Sequence, residues 1–358
     1  MRRAHLQLST YFLLSTSTFN VIVARSIPQI ISIAAILIGL GLFVVTLFYI
    51  DLEETMASAK RLGIALPLVM MPSAVWQVLR TWGWAISFPD GTRPDFFRLF
   101  RVRLAADAIS FFTVRGIAGE PLKVLLLLDR CAPQVTTASI ALERLAVAIM
   151  SIGVAGLISF FAVTQLTLPR AWDTVFSFLT VIAVLLVPLL AFIARRRSGV
   201  YFGRIVAAYE RVTGRRLGTR RVVKFLLEVE QVLLELLRGD RRRLVTLVWL
   251  PVVCYFVMAM EVWTVFWAIG EPIGFMEGLT VETFARLGSV ASAAIPGNLG
   301  ALEASNAAVV TMLGLGGGGS LALARRIRAL LWAAVGLALY PKPTRSSRSG
   351  RSKRSDRS

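Results

Sequence analysis

The sequence predicts an all-α polytopic integral membrane protein with about six full spans plus two re-entrant or broken helix hairpins. Three observations carry this reading. The 358 residues are 56% hydrophobic and only 17% charged, whereas ordinary soluble domains are about a quarter charged. The mean hydropathy is +0.68. Fifteen of the nineteen net positive charges lie in residues 195–243 and 341–358, and basic stretches beside apolar spans read as cytoplasmic loops ahead of nucleic-acid surfaces. No nucleic-acid partner is expected.

A helix needs about 20 apolar residues to cross a hydrocarbon core of about 30 Å. Residues 1–26, mixed apolar and hydroxyl after Arg2 and Arg3, form an N-terminal interfacial segment. The first span, 27–50, starts too far in and runs too long for a cleaved signal peptide. Arg2, Arg3 and Arg25 precede it, while Asp51, Glu53 and Glu54 follow it with Lys60 and Arg61, which places the N-terminus in the cytoplasm. The span at 64–87 returns the chain, so Arg93, Arg98, Arg101 and Arg103 are cytoplasmic. Spans 136–163 and 172–194 then deliver it to the basic 195–243 loop. In the second half of that loop Val222, Leu226, Val229, Leu233 and Leu237 recur at roughly helical spacing, predicting a basic amphipathic helix on anionic lipid. Spans 244–269 and 321–340 complete the six. Arg80 and Glu261, near span ends, are expected to snorkel, and the tryptophans to anchor at the interface. The polybasic tail 341–358 is low in complexity, cannot bury a core and is expected to be disordered against anionic lipid. The reading places residues 27–340 as one transmembrane domain in a bacterial-type plasma (inner) membrane with both termini cytoplasmic.

Two regions break the pattern. One runs from Phe96, breaks at Arg115 to Pro121 and resumes before Asp129. The other runs from Val281, breaks at Ile295 to Gly300 and resumes through Leu315. Each is a pair of half-length helices around a Gly/Pro turn, tolerated at membrane depth only where protein or a polar cavity surrounds the freed backbone. If both re-enter, the tail is cytoplasmic. If the second crosses instead, Arg325, Arg326 and Arg328 are cytoplasmic and the tail is outside. Paired interrupted segments in two halves point to a transporter's substrate site.

Composition removes whole reaction classes. The single histidine, His5, and two cysteines, Cys131 and Cys254, leave nothing for a His-based triad or a His- or thiolate-bound metal. No metal and no cofactor is expected. Gly314 to Gly319 matches G-x-G-x-x-G formally, but without a preceding strand it reads as a flexible connector.

Charges inside a membrane cost about 2.5–3.5 kcal/mol each at a span centre and need partners. Glu143 and Arg144 are about 100° apart around a helix, so their partners should come from other segments. The expected arrangement is one central polar cleft. Arg115, Lys123 and Arg144 hold a lipid phosphate or similar head there, while Glu120, Glu143 and Glu303 balance charge. Pro296, Gly297, Asn298 and Gly300 form a turn whose free N–H groups face an anion, and Asp107 and Arg286 stand close by. An internal salt-bridge network that fixes the hairpins is the structural alternative.

At these breaks the sequence resembles the lysylphosphatidylglycerol synthase transmembrane-region family. Gly119, Glu120, Pro121 and Lys123, the Glu143-Arg144 pair, and the run Pro296 to Glu303 carry the resemblance, with glycine more usual in the family where Asn298 stands. The arginine-led last span is similar to that of the hopanoid-biosynthesis-associated branch. The family's best-known members add a soluble aminoacyl-transfer domain, for which nothing after Pro341 suffices. The resemblance implies a flippase-like translocase for a membrane lipid or polyisoprenoid-type amphiphile. A membrane-embedded lipid-headgroup-modifying enzyme, or a non-catalytic scaffold binding lipid-biosynthesis enzymes, are the alternatives.

Overall fold

A computed structural model of the chain describes residues 52–111, 119–195, 201–213, 221–292, 295 and 300–341. The first predicted span, the interfacial segment before it, the tip of the first hairpin with Arg115, the turn with Pro296, Gly297 and Asn298, and nearly all of the tail lie outside these residues. Among the described residues there are helices and no strand. They are α1 (Leu52–Ile86), α2 (Phe96–Phe111), α3 (Gly119–Leu126), α4 (Pro133–Gln165), α5 (Arg170–Arg195), α6 (Tyr201–Thr213), α7 (Arg221–Arg238), α8 (Arg241–Ile269), α9 (Phe275–Ala291), α10 (Ala301–Met312) and α11 (Gly318–Ala338).

Four of the predicted spans are helices long and apolar enough to cross a bilayer, within α1, α4, α5 and α8. The sixth, α11, has 21 residues and carries Arg325, Arg326 and Arg328. At 1.5 Å per residue it is about 31 Å long, which matches the hydrocarbon core. Helix boundaries follow local chemistry. Pro133 opens α4, where a missing N–H costs nothing. The Asp240 carboxylate accepts the Arg242 N–H at 2.9 Å and caps α8, and Gly270 ends that helix at φ 86°.

The order long helix, broken hairpin, charged helix occurs twice, as α1, α2–α3, α4 and as α8, α9–α10, α11. The second copy runs opposite to the first. Leu62 and Val69, early in α1, pack with Val262, Val265, Phe266 and Ile269, late in α8, while Gly83 abuts Leu250 near the other end. The halves also interlock, since α2 packs along α11 and α9 along α4. Glycine sets the closest approach: a Cβ on Gly336 of α11 would fall 2.2 Å from the Leu104 carbonyl oxygen of α2.

Both hairpins double back. In the first, Arg98 at the start of α2 donates to the Leu126 carbonyl at 3.3 Å and to the Asp129 carboxylate at 2.7 Å, so its two ends meet. In the second, Gly288 of α9 faces Ser305 of α10, and Gly316 and Gly317 return to Glu271 and Ile269 at the end of α8. The α9–α10 pair is therefore folded back on itself, and α11 starts beside the end of α8. The glycine connector is not loose: Gly317, at φ 74°, makes the left-handed turn that starts α11. The α11 end lies by α2, where Arg101 Nε donates to the Leu339 carbonyl at 3.0 Å.

The 195–243 loop holds two helices. The predicted amphipathic helix is α7, and α6 precedes it, held where the Gly203 N–H donates to Glu230 at 3.1 Å. Packing of Val229 and Leu236 of α7 with Ala138, Leu142 and Leu247 fixes the pair under α4.

Candidate functional site

Two charged clusters occupy the broken-hairpin regions, one in each half. The first is assembled by α1, α2, α3 and α4. Arg80 Nη1 lies 2.8 Å from Glu143 Oε1, and Arg103 Nη1 approaches the same oxygen at 3.8 Å. Arg103 Nε stands 3.6 Å from Asp107, whose carboxylate is 3.8 Å from Lys123 Nζ. Lys123 also donates to Glu120 at 3.2 Å, and Arg144 closes the chain by donating to Glu120. Trp76 lines the cluster, its ring 5.9 Å from the Arg80 guanidinium and 5.7 Å from that of Arg103. Trp84 lies under the Lys123 ammonium and donates to Ser139 at 3.1 Å. Trp84 is thus a core residue and not an interface anchor.

Helix geometry sets these groups well inside their helices and not at the ends. Arg144 is eleven residues into α4, about 16 Å along its axis, and Arg80 is six residues, about 9 Å, from the end of α1. Arg80, Arg103, Lys123 and Glu143 are buried. Arg144, by contrast, is 48% exposed, with Asp107 and Glu120 partly open beside it. The cluster is therefore open on the Arg144 side.

The second cluster joins α8, α9, α10 and α11. Arg325 donates to Glu282 at 2.7 Å and to the Asn306 side-chain oxygen at 2.8 Å. Arg286 donates to the other Glu282 oxygen at 2.8 Å and covers the Tyr255 ring at 4.3 Å. Arg326 Nε donates to Glu303 at 2.8 Å, and Arg328 pairs with Glu261. Gly300, at φ 72°, turns the chain into α10 and sets Glu303 in its first turn, where the helix N-terminus favours a carboxylate.

The residues expected in one cleft thus divide. Glu120, Lys123, Glu143, Arg144 and Asp107 meet in the first cluster, and Glu303 and Arg286 join the second. Arg115, Pro296, Gly297 and Asn298 lie outside the described residues. Cys254 on α8 feels the charges of Arg80, Arg103 and Glu143 of the first cluster and of Arg286 of the second. Arg80 and Glu261 do not snorkel, because they are themselves buried and pair with Glu143 and Arg328. Glu282, Asn306 and the pairing role of Arg325, Arg326 and Arg328 are not evident from the sequence pattern. Their signal was present only as an anomaly: three arginines opening a span need carboxylates at their own depth.

Each cluster sets four cations against three carboxylates among the described residues, leaving each with a positive excess. Several buried atoms keep unused hydrogen-bonding capacity: Nε of Arg80, Arg103 and Arg325, and one oxygen each of Glu261 and Glu303. A separate cavity of about 530 Å³ lies where α1 ends and α8 begins, rimmed by Trp82, Phe88, Arg93, Arg242 and Arg243. Among the described residues no group of His, Cys, Asp and Glu is arranged to hold a metal ion.

The family model described as Lysylphosphatidylglycerol synthase TM region matches residues 32–338. No curated protein and no solved structure matches the chain.

Proposed function

The chain belongs to the lysylphosphatidylglycerol synthase TM region family, a membrane family of lipid metabolism or transport, and we propose that it is a lipid translocase. An anionic amphiphile headgroup enters the first cluster from its open side, exchanges ion pairs with Arg144, and passes toward the second cluster while its chains stay in the bilayer. The observation that carries this reading is Arg144: a half-exposed arginine a third of the way along a membrane-spanning helix, beside buried cations that exceed their carboxylates. An arginine there is costly unless it is answered by an anion or water. A network serving only to fix the hairpins has no need of an open side or of surplus cations.

The same reading places the α1 end, the α8 start and the basic α6–α7 pair at the cytoplasmic face of a bacterial-type inner membrane, where anionic lipid meets lysine and arginine. Leaflet exchange of a labelled anionic phospholipid, measured in vesicles containing the purified protein, tests the function. Arg144→Ala is expected to lower the rate at least tenfold, the loss of about 1.4 kcal/mol of headgroup interaction. Exchange at the wild-type rate in a folded Arg144→Ala protein would remove the site from the mechanism.

A further inference from the structure

We propose that Glu261 is a proton site, so that one proton accompanies each anionic headgroup that engages Arg328. This rests on the translocation reading and adds a co-substrate to it.

Glu261 is 0% exposed on α8. One carboxylate oxygen accepts from Arg328 and the other has no hydrogen-bond partner. The charged groups that face it are Arg328 and Arg325 of α11 and Glu282 of α9. The stretches 62–79 of α1 and 145–165 of α4, which also lie on helices packed against α8, carry no ionisable side chain. Arg325 is already committed to Glu282 and Asn306, so the Glu261 charge depends on Arg328.

The other two carboxylates of the cluster are held differently. Glu282 uses both oxygens, one on Arg286 and one on Arg325, as a fixed bridge does. Glu303 sits in the first turn of α10, where the backbone N–H groups sustain a negative charge. Glu261 has neither a second cation bonded to it nor a helix end. Arg328 is 21% exposed and so is reachable where Glu261 is not. An anion that draws Arg328 to itself leaves a buried carboxylate without its partner, and a carboxylate in that state takes up a proton. The proton comes from water on the side from which the anion arrived, and it is released when Arg328 returns. Anion binding and protonation are then linked reciprocally.

Two measurements test this on the full chain. In the first, phosphatidylglycerol is added to the purified protein in weakly buffered micelles. The expected result is uptake of close to one proton per protein, together with the infrared carbonyl band of a protonated carboxylic acid, and neither on adding phosphatidylcholine. Inorganic phosphate alone is run in parallel: a band with either anion supports the site, and a band with the lipid only assigns it to a lipid headgroup. E261Q is expected to abolish the band. Absence of proton uptake by the wild type overturns the proposal whether or not E261Q folds. In the second, vesicles holding labelled phosphatidylglycerol receive a gradient of one pH unit. One proton per lipid predicts a leaflet ratio shifted about tenfold, and a ratio held at unity in E261Q. A wild-type protein that exchanges lipid at a ratio indifferent to the gradient overturns the coupling. If it exchanges no lipid, the translocation reading fails, and proton uptake decides the site by itself.

Discussion

Glu143 shows how much one membrane-depth carboxylate governs. Its partners, Arg80 at 2.8 Å and Arg103 at 3.8 Å, are buried, so removing the charge strands two cations. Glu143→Gln is expected to destabilise the protein by about 3–5 kcal/mol, the cost of breaking a buried pair on one side, and to lower the thermal unfolding midpoint in detergent. The Arg80→Leu and Glu143→Leu double variant should recover most of that loss, and a double-mutant cycle measures the coupling. The importance of Glu143 was legible in the sequence, because an acidic residue inside an apolar span needs an explanation. Its partner was not, because Arg80 comes 63 residues earlier and near a span end, where snorkelling is the cheaper expectation. Cys131 gives a second test at this scale. Burial, together with the charge of Asp129, pushes its thiol up from the usual range, with Arg98 opposing. Maleimide labelling of the folded protein near neutral pH should be many times slower than for an exposed cysteine, and should become complete on denaturation.

At the scale of elements, helix association in lipid depends on close packing because the tails are as apolar as the side chains. Gly336 lets α11 sit against the backbone of α2, and that contact holds the second half onto the first. Gly336→Leu is expected to cost about 1–3 kcal/mol by overpacking, seen as a lower unfolding midpoint. Gly63→Leu, where a Cβ meets nothing within 4 Å, should be near neutral. The helices themselves were legible from apolar length and Gly/Pro breaks. Their partners were not, since a run such as Leu321 to Leu339 states how far a helix reaches and nothing of which helix it touches. The short α6 was missed because Arg204, Arg211 and the many basic residues around it mask its apolar face of Ile205, Tyr209 and Val212.

For the whole molecule, the doubled-back second hairpin favours the re-entrant one of the two topologies that the sequence left open. The positive-inside rule alone set Arg325, Arg326 and Arg328 against the basic tail. The structure gives those arginines carboxylate partners, which weakens their weight as topological signals. Cysteines introduced at Asp90 and Tyr340 are expected to label from one side of sealed vesicles, and cysteines at Glu271 and Gly314 from the other. Labelling of Tyr340→Cys and Gly314→Cys from the same side would overturn the arrangement. The inverted pairing of halves went unseen because charge is exchanged between them: the long helix supplies an arginine, Arg80, in one and a glutamate, Glu261, in the other.

That exchange has a thermodynamic consequence. If the chain translocates lipid as proposed, two inverted halves with the same inventory of cations and carboxylates make opening toward either side a nearly degenerate choice. Such a machine has no built-in arrow. A difference of about one or two kcal/mol, supplied by whichever side holds more lipid or more acid, is enough to shift its populations by about five- to thirtyfold, so under that proposal the surroundings, and not the fold, set the direction.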